Sequence, residues 1–150
     1  MHSSHILLGL VASASAIDIF FHNPNDCSSA ATVCTGIDPN ICCTGNSVTL
    51  AYQGVPTNWH INAQGFSSGG CGSPKWLADL NGQSSFVNLR SAENSNCTES
   101  VKPDTLVLAD GTTKYDIVEL DDVKVEELLA IASSGVGLEG MPKEFQVRRK

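Results

Sequence analysis

Six cysteines constrain this chain more than any other feature: Cys27, Cys34, the adjacent pair Cys42 and Cys43, Cys71 and Cys97. An even set behind an export-type leader reads as three disulfides, a covalent frame for a loop-rich fold. Zinc is a poor rival, because no CxxC spacing occurs and only His22 and His60 remain as imidazole ligands beyond the leader. Neighbouring cysteines rarely bond each other, since their geometry misses the usual Cα separation and dihedral. One of the pair is therefore expected to bond to Cys27 or Cys34 and the other to Cys71, leaving the second of Cys27 and Cys34 for Cys97. Each bridge is expected to contribute about 2–4 kcal/mol, mainly by restricting the unfolded chain.

The leader itself is Met1 to Ala16. His2 and His5 precede an apolar stretch, Ile6 to Val11, and the small residues Ala14-Ser15-Ala16 follow. This order matches a secretory signal peptide over residues 1–16, cut before Ile17. The apolar run is far short of the roughly 20 residues that cross a bilayer, so no membrane span is expected. The product is expected outside the cell.

Residues 17–140 are read as one secreted disulfide-rich domain, and 141–150 as a flexible basic tail ending in Arg148-Arg149-Lys150. The formal charge of −7 argues against nucleic acid as a partner, because phosphate binding needs a clustered basic surface.

Along the chain, Ile17, Ile19, Phe20 and Phe21 suggest a short strand, and Asn-Pro-Asp-Gly clusters after them suggest cross-linked loops up to residue 46. Ser47 to Tyr52 alternates in the β manner, and Trp59 to Ala63 reads as a second strand that pairs with it in a loose hairpin. Trp76, Leu77 and Leu80 have helical spacing, whereas Phe86, Val87 and Leu89 suit a strand. Leu106 to Leu108 and Lys114 to Leu120, joined through Asp110-Gly111, carry the clearest hairpin pattern. Asp121 or Asp122 then caps a helix over 122–133, with the stripe Val125, Leu128, Leu129 and Ala132 and a stop before Gly135. Beyond Gly140, Phe145 and Val147 could add an edge strand. These elements predict an α+β fold: a small, β-rich, disulfide-stabilised single domain with one C-terminal amphipathic helix.

The layout C-x6-C-x7-CC-x27-C-x25-C behind a signal peptide, with the Asp-Gly hairpin and the late helix, resembles small secreted cysteine-rich proteins of filamentous fungi. That resemblance spans the whole mature chain. It implies an extracellular protein, in some cases an effector acting on a host or competitor. Hydrophobins differ, having eight cysteines and two adjacent pairs.

Catalytic arrangements are sparse. His60 is the one centrally placed imidazole, yet no GxSxG, HExxH or Cys-His pattern surrounds it. Asp104, Asp110, Asp116, Glu119, Asp121, Asp122, Glu126 and Glu127 crowd one stretch. A carboxylate pair can hydrolyse a glycoside, but a turn, a helix cap and the helix dipole account for several of these acids more simply. Asp121-Asp122 also lacks the alternating ligands of a calcium loop. No enzyme activity, cofactor or metal is expected. Recognition has better candidates: Tyr52, Trp59, Phe66 and Trp76 flank the central loops, and such rings stack on sugars or anchor protein interfaces as readily as they fill cores.

Asn96-Cys97-Thr98 is an N-glycosylation sequon whose middle residue is a disulfide candidate, so partial occupancy of Asn96 is expected. The leading functional expectation is a non-enzymatic secreted binding or effector-like protein with an extracellular protein partner. Next comes a cell-wall carbohydrate-binding protein using Tyr52, Trp59 and Trp76, and last a small secreted hydrolase.

Overall fold

The computed structural model of the chain describes residues 16–23, 28–47, 49–65, 76–81, 99–135, 138–146 and 148–150. Strands β1 (Ile17–His22), β2 (Ala31–Ile37), β4 (Thr49–Gln53), β8 (Thr105–Val107) and β9 (Lys114–Asp116) form one antiparallel sheet, in the order β4-β1-β2-β8-β9. Two small sheets flank it. Strand β3 (Ile41–Cys43) pairs in parallel with β7 (Glu99–Val101), and β5 (His60–Gly65) pairs antiparallel with β6 (Trp76–Asn81). A helix, α1 (Asp122–Ser133), and a short helix, α2 (Lys143–Gln146), complete an α+β, β-rich architecture.

Register divides the main sheet into two faces, because cross-strand partners share a side. One face carries the row Leu50, Phe21, Thr32, Leu106 and Tyr115, read from β4 to β9. The other carries Ala51, Phe20, Val33, Thr105 and Asp116. On the first face, at the β8 and β9 end, Leu106 and Tyr115 pack with Leu128, Leu129 and Ala132 of α1 and with Met141 and Phe145. Tyr115 and Leu128 are wholly buried there. Helix α1 therefore covers the β8 and β9 half of this face and does not extend over the β1 and β4 half.

Local chemistry explains the strongest elements. The Asp121 carboxylate accepts a hydrogen bond from the Lys124 N–H at 2.8 Å, satisfying one of the free donors of the first helical turn. At the other end the Ser134 N–H returns to the carbonyls of Ala130 and Ile131, and Gly135 takes the left-handed conformation, φ +78°. In the β8–β9 turn, Asp110 accepts from the N–H groups of Thr112 and Thr113, both at 2.8 Å, and from the Thr113 hydroxyl at 2.6 Å. Gly111, at φ +69°, supplies the left-handed residue of that turn.

Several expectations change. Residues 31–37, read as loop, form the central strand β2. Its Ala, Cys and Gly content hides a strand that is buried because β1 and β8 enclose it. The segments 47–52 and 59–63 do not form a hairpin with each other: β4 pairs with β1, and β5 with β6. Trp76, Leu77 and Leu80 lie on a strand despite their helical spacing, since β5 offers a six-residue antiparallel partner. The second half of that region, Phe86 to Leu89, lies outside the described residues. Of residues 141–150, read as a flexible basic tail, the described ones, 141–146 and 148–150, are built into the fold. Met141 and Phe145 enter the core, Arg149 bridges to Tyr115, and the main chain of Arg148 and Lys150 bonds to Asp116 and Lys114.

Candidate functional site

The β1 and β4 half of the first sheet face forms the floor of a groove enclosing about 1570 Å³. Ile19 and Phe21 of β1 and Leu50 and Tyr52 of β4 alternate onto this floor, as the β1–β4 register requires. Strand β3 makes one wall, β5 another, and Val125 and Leu129 of α1 close the far end.

The walls are fixed covalently and by close packing. A disulfide joins Cys34 of β2 to Cys43 of β3, with Cα atoms 6.2 Å apart. One member of the adjacent pair thus bonds within the Cys27/Cys34 loop, as the sequence led us to expect. Cys42 is also disulfide-bonded. Beyond the pair, Gly45 lies so close to Phe21 that a Cβ there would sit 3.0 Å from the ring. Only glycine permits that approach without displacing the floor.

Of the residues anticipated for recognition, Tyr52 and Trp59 both line the groove and are half-buried. Tyr52 packs on Ala63 with Val55 and Ile61, and burial pushes its phenol well above the ordinary tyrosine range, so the ring stays neutral. Trp59 follows a turn in which its N–H donates to the Pro56 carbonyl at 2.9 Å. Trp76 starts β6, opposite Gly65. Phe66, Cys27, Cys71, Asn96 and Cys97 lie outside the described residues. His60 is exposed at the start of β5, on the rim.

The acidic stretch has structural tasks. Asp104 accepts hydrogen bonds from the Thr35 N–H and hydroxyl and from the Thr105 hydroxyl, latching β2 to β8. Asp116 accepts from the Val118 N–H, which, with Lys150 and Arg148 nearby, holds its carboxyl below the ordinary value. Asp122 pairs with Lys102 at 2.9 Å and Glu119 with Arg148 at 3.6 Å; the exposure of the Lys102–Asp122 pair limits its energetic weight. Among the described residues no three His, Cys, Asp or Glu side chains gather as a metal site would require.

Sequence reading missed the floor residues Ile19, Phe21 and Leu50 as a recognition surface, since their shared side depends on register. One signal was available. From Pro39 to Pro74 the chain contains no Asp, Glu, Lys or Arg, although the whole protein carries −7. That stretch holds β3, β4, β5, Tyr52 and Trp59.

Fold and groove together define a small disulfide-stapled α+β domain with a cleft whose floor is uncharged and whose margin carries Asp38, Lys102, Asp122 and Glu126. The chain belongs to the ARB_05566_N family, a fungal-named family described as an N-terminal domain, which it matches over residues 18–105. The matched stretch starts within β1 and ends at the first residue of β8, so it takes in the three strands of the charge-free region and stops before α1. No curated protein and no solved structure matches the chain. Among the described residues no helix is long and apolar enough to cross a membrane.

Proposed function

We propose that this chain is a secreted, non-enzymatic binding protein of the effector-like kind, and that the groove between β3, β5 and α1 is where it takes its partner. The observation that carries this reading is the coincidence of three properties in one place: an apolar sheet face lining a groove, half-buried aromatic rings at Tyr52 and Trp59, and a disulfide holding the wall. Recognition sites combine an apolar floor with a few polar groups on a rigid scaffold. The leader, residues 1–16, ends where β1 begins, which suits removal of the export signal without loss of any strand residue. The engagement of Asp104, Asp110, Asp116 and Asp121 in turns, caps and strand latches supports a non-catalytic reading.

A second reading, a cell-wall glycan-binding protein, is favoured by the charge-free stretch. Neutral polysaccharides are recognised through aromatic faces and amide side chains, and the groove brings Trp59 and Tyr52 together with Asn46, Asn62 and Gln64.

Retention of the exported protein on insoluble chitin and β-glucan, and its cross-linking to purified extracellular proteins, separates the two. Both readings expect Trp59→Ala and Ile61→Arg to abolish the interaction while thermal unfolding stays cooperative. Equal retention by wild type and both variants would reject the groove as the binding site.

A further inference from the structure

The two edges of the main sheet are finished differently. At β9 the edge carries Lys114 and Asp116 and is covered by the C-terminal segment, through the Asp116 N–H to the Arg148 carbonyl at 2.8 Å and the Lys150 N–H to the Lys114 carbonyl at 3.0 Å. At β4 the outer edge has no main-chain partner among the described residues. Its sequence, Thr49-Leu50-Ala51-Tyr52-Gln53, contains no charge and no proline. Bare edges attract further strands, and proteins ordinarily blunt them with lysine, proline or cover.

We infer that β4 is a self-association edge, pairing antiparallel with β4 of a second copy to extend the five-stranded sheet across a two-fold axis. The strand is complementary to itself in that arrangement. With Ala51 on the axis, Leu50 of one copy lies opposite Tyr52 of the other, and Thr49 opposite Gln53, giving aliphatic–aromatic and polar cross-strand pairs. The small Ala51 lets the backbones meet at the centre. Charge permits the same occupant: each copy carries −7, yet Thr49 to Gln53 holds no ionised side chain, so two acidic copies bring no like charges into the strand pair itself. The inference does not depend on the groove reading: Leu50 and Tyr52 also lie on the groove floor, but its test changes Thr49 and Gln53, on the opposite face of the strand.

Sedimentation velocity of the purified protein over a dilution series tests it. Wild type is expected to pass from monomer to dimer below about 100 μM, as a small interface allows. Thr49→Lys with Gln53→Lys sets lysine against lysine twice across the axis and is expected to weaken the dimer at least tenfold. Thr49→Glu with Gln53→Lys sets opposite charges against each other at the same two positions and is expected to dimerise as well as wild type or better. Both double variants alter the same two sites, half-buried Thr49 and exposed Gln53, and loss of fold is read separately by circular dichroism. A wild type that stays monomeric throughout overturns the inference and leaves the edge to an unrelated extended peptide; so does any result in which the two double variants behave the same.

Discussion

Cys34 on the central strand β2 and Cys43 on β3 are covalently joined across a sequence separation of 9 residues, and this bond ties a groove wall to the middle of the sheet. Closing so short a loop in the unfolded chain accounts for about 2–3 kcal/mol of stability. Replacing both residues by serine is expected to lower the unfolding free energy extrapolated to zero urea by that amount. Hydrogen exchange should quicken first in residues 41–44.

Gly45 tests how tightly the floor is built. An added methyl would press on the Phe21 ring, which is itself buried between β2 and β4. Gly45→Ala is expected to cost about 1–3 kcal/mol, the usual range for overpacking a rigid site. Thermal denaturation measures it, and near-UV circular dichroism should report the displaced aromatic packing.

Acid should loosen the β8–β9 turn at a defined place. Hydrogen bonds from Thr113, first its hydroxyl and then its N–H, with a further one from the Thr112 N–H, lower the Asp110 carboxyl from 3.8 to about 2. A folded-state value below the unfolded one means stability that is present above the unfolded value and is lost as pH falls towards the folded value. Stability should therefore decline between about pH 4 and pH 2. Asp110→Asn is expected to flatten that part of the profile in denaturant titrations repeated across this window. Asp116, lowered in the same direction, contributes to any decline that remains.

What could be read from residues alone followed the range of the forces involved. Helix α1 was legible to the residue because Asp121, the apolar stripe and Gly135 act within one or two turns. The Asp110-Gly111 turn was legible for the same reason. Strand partners were not. Trp76 to Leu80 looks helical in isolation and becomes a strand only because β5 is there to pair with it. Strand β2 lies between two turn-rich stretches, and its burial comes from neighbours distant in the chain. In the groove, Tyr52 and Trp59 were visible by type, whereas Ile19, Phe21 and Leu50 joined them only through the β1–β4 register.

Phe145, in the last ten residues, and Val123, on α1, provide a contrast between core and surface. Phe145 is 2% exposed and packs with Leu106, Tyr115 and Leu128, while Val123 on α1 is 75% exposed. Phe145→Ala is expected to cost about 3–5 kcal/mol, and Val123→Ala to stay within about 0.5 kcal/mol of wild type. Chemical denaturation of the two variants side by side checks both figures.

An exported binding protein of the kind proposed needs a sulfur-cross-linked scaffold around its groove. The most direct test of that reading is peptide mapping of the non-reduced protein collected from culture medium and alkylated on collection. The expected product begins at Ile17, carries no alkylated cysteine and yields a linked Cys34–Cys43 peptide. A product that retains Met1, or one in which Cys34 and Cys43 are alkylated, would contradict it.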